Sequence, residues 1–292
     1  MPATSMLNRD YFLIFLIVVL WGIHAPIIKL GIEEIEPFLL NFIRFFLTAM
    51  GLICIAGKIN LADIKKLIPV SLLFVCGNLM FAYIALDIIT SNSFVIIIQI
   101  AQPITILCAY VLFGEKFGLY TVFGILVSFI GLIIIFGAPD IVQHPIGAFL
   151  AVLAALSWSL GSLAMKNTGH IPPVKFLCYS YLLASPIALG ATLYFEEDHL
   201  NVIKTADSII LSFVVFYQVV IMGFMTFVWA GLMARNQAQL VTPFLMAQPI
   251  FAVIASYYLL GETLNKNIIL GGTIIMIGIA VINFRKIVNV IK

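Results

Sequence analysis

Apolar stretches about 20 residues long recur from one end of this 292-residue chain to the other, and that feature decides most of what it can fold into. Each stretch is long enough to cross a hydrocarbon core of roughly 30 Å. Ten are readable: 11–31, 37–57, 67–87, 91–113, 118–138, 146–166, 173–195, 209–233, 238–260 and 266–285. Backbone polar groups must be paired within lipid, so the spanning segments are helices or strands of a closed barrel. The runs are continuous and do not alternate with period two, which selects helices. Only 10% of residues are charged, against about 25% in an ordinary soluble domain. The expected fold class is an all-α membrane protein with ten transmembrane helices. Arg9 and the run YFLIFLIVVLW resemble a signal peptide, but the run continues past Trp21 to Lys29, so an uncleaved first span is expected.

Basic residues sort the loops. With the N-terminus in the cytoplasm, the inside segments hold Arg9, Lys58, Lys65, Lys66, Lys116, Lys166, Lys175, Arg235, Arg285, Lys286 and Lys292. The outside segments hold Lys29, Lys204 and Lys266, and Arg44 lies inside a span. This positive-inside asymmetry predicts a multi-pass protein of the cell (inner) membrane with both termini cytoplasmic. The formal charge of +2 calls for no nucleic acid or acidic partner. Cys54, Cys76, Cys108 and Cys178 lie within spans and lack metal-ligand spacing, so they read as small core residues. Neither a metal nor a cofactor is expected.

One phrase is written twice: AQPITILCAYVLFGE at 101–115 and AQPIFAVIASYYLLGE at 247–262. Gly124 and Gly131 follow the first copy, and Gly271 and Gly278 follow the second, at a constant offset of 147 from the Gly-Glu pairs onward. Trp21 and Lys29 have the same spacing as Trp158 and Lys166. Each half thus holds five spans, which sets repeat boundaries at 1–140 and 141–292. Five is odd, so the second copy enters the membrane from the opposite side and the repeats are inverted, as in many secondary transporters. The glycine pairs themselves read as helix-packing sites.

Proline removes a helical bond and frees the carbonyl four residues earlier. Pro26, Pro103 and Pro249 free Gly22, Gln99 and Leu245, each close to a polar side chain: His24, Gln102 and Gln248. Broken helix at this depth is tolerated where it lines a cavity or is buried in protein. The duplicated phrase therefore reads as a half-site used twice, with purely structural kinks as the alternative. Further candidates are Asn78, Gln99 and Ser162, with Ser157 and Ser159 close by. Gln218 and Met222 head a helical stripe that continues through Met225 to Trp229. Trp21 and Trp158 lie near span centres at matched repeat positions, whereas Trp229 reads as an interfacial residue. Arg44 could reach the outer face, pair with Glu33, Glu34 or Glu36, or meet a substrate carboxylate. The thirteen carboxylates fall in loops or at span ends, leaving His24 as the central group that titrates near neutral pH. An apolar interior disfavours its charged form. Facilitated diffusion or exchange is therefore expected rather than proton coupling.

The ten spans in two halves, Trp21-Gly22 with Lys29, Arg44-Phe45, and the Gly-Glu closures of spans 4 and 9 resemble the drug/metabolite transporter superfamily, in particular its EamA-type exporters. The resemblance covers nearly the whole chain, one EamA domain per half. It implies alternating access and export of a small metabolite, such as an amino acid or its derivative, from a cavity formed largely by spans 1, 3, 4, 6, 8 and 9. His24 departs from the polar amide or small residue often found there. Drugs and S-adenosylmethionine or nucleotide-type metabolites are alternative cargoes of the same fold, and the implied assembly is a monomer or homodimer in the lipid bilayer. An intramembrane enzyme is the remote alternative, since neither H-E-x-x-H nor G-x-S-x-G occurs.

Overall fold

The computed structural model describes residues 7–114, 118–235 and 242–291. Glu115, Lys116 and Lys292 lie outside the described residues, as do the side chains of Lys166, Arg235, Arg285 and Lys286.

The apolar runs form the expected helices: α1 (Asn8–Glu34), α2 (Pro37–Ala56), α3 (Leu61–Ile88), α4 (Ser91–Phe113), α5 (Leu119–Phe136), α6 (Pro145–Ala164), α7 (Pro173–Phe195), α8 (Ser208–Trp229), α9 (Phe244–Leu260) and α10 (Lys266–Ile291). Among the described residues the first eight are long and apolar enough to cross a membrane by the strictest length, and α9 and α10 are apolar helices of the same kind. Short helices Pro139–Gln143 and His199–Thr205 lie in connections. No strand occurs among the described residues. Large apolar side chains such as Val111, Leu119, Ile133 and Tyr258 stay exposed on the outside of the bundle, where lipid would meet them.

Hydrogen bonds between loops show that consecutive helices cross in alternate directions. At one face, Glu34 accepts from the N–H of Asp207, Glu196 from those of Phe38 and Leu39, and Glu262 from those of Ser91 and Asn92. At the other face, Lys175 donates to the Lys58 carbonyl, Tyr179 to that of Gly57, and His170 meets Asp63. We call the face near Asn8 the near face and the one near Glu34 the far face. Every loop in the first group follows an odd-numbered helix, and every loop in the second follows an even-numbered one.

The glycine pairs disclose the symmetry. A Cβ on Gly124 would stand 2.6 Å from the Gly278 carbonyl oxygen, and one on Gly131 would stand 2.5 Å from that of Gly271. No side chain fits there, so α5 and α10 pack backbone against backbone along their length. They run antiparallel, since 124 faces 278 and 131 faces 271. The sequence offset equates Gly124 with Gly271 and Gly131 with Gly278, so exchanging the halves reproduces the same contacts. A two-fold that exchanges antiparallel membrane-crossing helices lies perpendicular to both, in the membrane plane. The other pairings obey it: α2 packs on α7, α3 on α6 as α1 on α8, and α4 on α6 as α1 on α9. The five-helix repeats are inverted.

Lipid supplies little hydrophobic drive between helices, so close packing and interhelical hydrogen bonds hold the bundle. Ser71 donates to the Ser180 carbonyl at 2.7 Å, Asn78 to that of Ala154 at 3.0 Å, and Ser159 to that of Ala101 at 2.8 Å. Each such bond is worth about 1 kcal/mol. Proline irregularities fall where the sequence places them. Helical geometry breaks at Ile23, three residues before Pro26, and tightens to 3-10 turns at Ile98–Ile100 and Thr242–Ala247, ahead of Pro103 and Pro249. Two further irregularities were not anticipated, although Pro69 lies two residues ahead of the first. α3 widens to π-helix at Ser71–Gly77 and α8 at Tyr217–Ile221. They occupy corresponding places in the two repeats.

Candidate functional site

The polar centre of the bundle forms around Arg44. Its helix, α2, starts at Pro37 in the first turn and runs without interruption, which carries Arg44 two turns into the bundle. The side chain is buried, with 6% exposure. One terminal nitrogen, Nη1, lies 3.0 Å from His24 Nε2 and donates to the Tyr83 hydroxyl at 3.1 Å. The other, Nη2, donates to the Tyr181 hydroxyl at 3.4 Å. A guanidinium only donates, so His24 Nε2 is the acceptor and its ring is neutral with the proton on Nδ1.

The network continues into the second repeat. Tyr83 donates to Gln218 Oε1, and Tyr217 donates to the Leu20 carbonyl beside the α1 break. The Tyr217 ring stacks on His24, with centroids 6.2 Å apart. Tyr217 and Gln218 are neighbours on the π-helical turn of α8. A wide turn of this kind is a frequent device for aiming side chains at a functional site. The cluster thus draws on α1, α2 and α3 of one repeat and on α7 and α8 of the other. Two of its polar groups have no partner, Arg44 Nε and Gln218 Nε2, and two acceptors elsewhere on α2, Asn41 Oδ1 and Thr48 Oγ1, are likewise buried without one.

Of the ten residues expected at the site, His24 and Gln218 belong to this cluster. Trp21, one turn before His24, rests its ring 5.4 Å from that of Trp229, which places Trp229 within the bundle rather than in an interfacial belt. Met222 is buried one turn beyond Gln218. Asn78 is occupied by the Ala154 carbonyl and Ser162 by that of Ser159. Trp158 is 40% exposed and rests on Phe74, with centroids 4.4 Å apart. Gln99, Gln102 and Gln248 are half-buried and carry no side-chain hydrogen bond among the described residues. Tyr83, Tyr181 and Tyr217 were not anticipated, because a tyrosine in an apolar run looks like core or interface until its hydroxyl has a partner. Arg44 carried its own signal, a charge within a span, and its neighbours reveal its position.

The duplicated Gly-Glu acquires a physical role at the far face. Gly261 ends α9 in the left-handed region (φ 64°), where a side chain would be strained. The turn sets Glu262 over the start of α4, where its carboxylate accepts from Ser91 N–H at 2.7 Å and Asn92 N–H at 3.0 Å. Lys29 lies 4.0 Å away and donates to the Ile89 carbonyl. An anion at a helix N-terminus meets unpaired N–H groups and the positive end of the dipole. Gly114 repeats the left-handed turn at the end of α4 (φ 67°).

Among the described residues no group of histidines, cysteines or acids has the arrangement of a metal site, and the four cysteines are free thiols. The cluster is suited to binding by hydrogen bonds and charge.

A model of the EamA-like transporter family matches residues 8–137 and again 145–284. A Salmonella typhimurium protein named "Probable amino-acid metabolite efflux pump" is 27% identical, with 96% of this chain and 97% of the relative covered. An Escherichia coli protein of the same name is 23% identical over 98% and 99%. An uncharacterized transporter of Bacillus subtilis is 24% identical over 96% and 93%. A solved structure titled "Crystal structure of protein" shares the fold, with a TM-score of 0.63, 17% identity, and 94% and 95% coverage.

Proposed function

The chain belongs to the EamA-like transporter family, and on that premise we propose that it is a secondary transporter exporting a small metabolite, an amino acid or amino-acid derivative, by alternating access. It is a membrane transporter and not an enzyme. The observation that carries the finer reading is the His24–Arg44–Tyr83–Gln218 network, a polar cluster built from both inverted repeats beside irregular helical turns. Irregular backbone and polar side chains at this depth characterise substrate sites in transporters. The two relatives named as efflux pumps support the cargo class and the direction. The charge asymmetry of the loops supports cytoplasmic termini in the inner membrane.

The symmetry supports alternating access. The interfaces α1–α8 and α3–α6 are symmetry copies that each join one repeat to the other, so closing one while opening the other would move access between faces. His24 accepts from Arg44, and protonating its Nε2 would set two cations 3.0 Å apart. The reading is therefore facilitated diffusion or exchange, with His24 as a hydrogen-bonding group.

Counterflow in proteoliposomes with labelled amino acids tests the function. Saturable exchange of at least one amino acid is the expected result. An imposed pH gradient should leave the steady-state level unchanged in wild type and in His24→Asn. Uphill accumulation that tracks the gradient and disappears in His24→Asn would replace this mechanism with proton coupling.

A further inference from the structure

We propose that Arg44, with Gln218 beside it, forms a carboxylate-binding site that receives the acid group of the transported metabolite. The proposal rests on the reading of this cluster as the substrate site and names the chemistry of what it holds.

The guanidinium is buried with three neutral partners, His24, Tyr83 and Tyr181, and it forms no ion pair with any described carboxylate. A charge taken out of water is costly unless an opposite charge or a full set of hydrogen bonds replaces the water. Here neither condition is met. A guanidinium has five N–H groups. Two on Nη1 and one on Nη2 are engaged, while Nε is buried without a partner and the second N–H of Nη2 has none among the described residues. Nε and Nη2 form the edge that grips a carboxylate with two parallel bonds.

Gln218 is unmatched in the same sense. Its Oε1 is taken by the Tyr83 hydroxyl, and its Nε2 is buried without a partner, the residue being 2% exposed. The Tyr83 hydroxyl touches both residues, so these free donors lie on two sides of one phenol. The acceptors around them, His24 Nε2 and the Tyr83 oxygen, are already engaged by Arg44. The hydrogen-bonded network has donors to spare beside one uncancelled positive charge, which an anion would satisfy, whereas the free acceptors on α2, Asn41 Oδ1 and Thr48 Oγ1, carry no charge to offset it. A carboxylate brings one negative charge and two acceptor oxygens, which match one guanidinium and its neighbouring amide. A phosphate dianion would leave negative charge over in a bundle with no second cation in this cluster. The rings of Tyr217, Trp21 and Trp229 nearby suit the apolar part of an amphipathic acid.

The structural alternative is that Arg44 only ties α1, α2, α3 and α7 together. Melting of the full-length protein in detergent separates the two. The probes are the common L-amino acids and the matching L-amino-acid amides, which keep the side chain and amine and lose the carboxylate. At least one acid should raise the wild-type Tm in a saturable way while its amide does not. In Arg44→Gln the half-saturating concentration should rise about tenfold or more, with the ligand-free Tm level or higher, because an uncompensated charge has been removed. Arg44→Lys keeps the charge without the planar fork and should fall between. Equal shifts from acid and amide, an undiminished acid shift in Arg44→Gln, or no shift from any acid in wild type would each overturn the proposal. An acid-specific shift in a protein that shows no counterflow would uphold the site and remove the transport reading. Counterflow that ignores the carboxylate and Arg44 alike would do the reverse.

Discussion

Charges at the far face and the charge at the centre of the bundle are treated in opposite ways. At the far face carboxylates find helix N-termini: Glu196 takes the N–H groups of Phe38 and Leu39 at 2.6 and 2.9 Å, and Glu262 takes those of Ser91 and Asn92. Asp140 accepts from Ser93 and Thr90. Each acid ties the end of one helix to the start of another. At the centre Arg44 faces neutral acceptors, with Nε unpartnered. Matched charge acts as a staple that holds loops in place. Unmatched charge costs stability and is tolerated where function needs it.

Removing a staple should therefore damage the fold more than the binding. Glu262→Ala deletes two charge-assisted bonds to backbone N–H groups and the ion pair with Lys29, a loss of about 1–3 kcal/mol. The expected outcome is a Tm lower by several degrees, with ligand-induced stabilisation per folded molecule retained. Thermal melting with and without amino acids checks this. If Glu262→Ala instead leaves the Tm unchanged and abolishes ligand effects, the far face is part of the binding machinery and the contrast fails.

Legibility divides along the same line. Segment lengths predicted the ten helices because membrane thickness leaves little freedom in where a span starts and stops. The repeated glycines announced the inverted symmetry, and their role is confirmed by the backbone contacts of α5 with α10. Prolines announced the breaks, since a missing N–H is a local fact. The π-helical turns in α3 and α8 were not read from the sequence: neither contains a proline, and Pro69, two residues ahead of the α3 turn, has no counterpart before the α8 turn. They also carry different chemistry in the two repeats. Ser71 in the first turn donates to the α7 backbone, whereas Tyr217 and Gln218 in the second reach into the central network. A search for matching residues in the two halves therefore favoured the glutamine-proline pairs and passed over a site whose two halves have diverged.

Gln102 sharpens that point, because it belongs to the duplicated phrase yet has no hydrogen bond to the Arg44 cluster. We expect Gln102→Leu to weaken transport several-fold, about 1 kcal/mol in apparent affinity, with melting temperature and expression close to wild type. Gln248→Leu should behave alike if the two amides act as a pair from opposite repeats. Counterflow rates normalised to folded protein decide it. A fall in folded yield with unchanged rates per molecule would make these residues parts of a structural kink.

The smallest expected effect tests the staple at Glu196 through pH. Burial lifts this carboxyl above its ordinary value of 4.5, and it outweighs the downward pull of the Phe38 and Leu39 N–H groups. The unfolded chain releases the proton near 4.5, whereas the folded chain holds it to higher pH. Within that window the folded state carries more protons, so stability falls as pH rises and is flat on either side. The carboxylate is half-buried, and solvent screening limits the change to a few tenths of a kcal/mol. Glu196→Gln should remove the slope, which is read from the difference in Tm between the two proteins from pH 4 to pH 7. A difference of opposite sign, with wild type gaining stability as pH rises, would mean that the helix N-terminus dominates over burial. Glu196 would then be a staple whose charge strengthens the join between α7 and α2, rather than one that holds despite the cost of that charge.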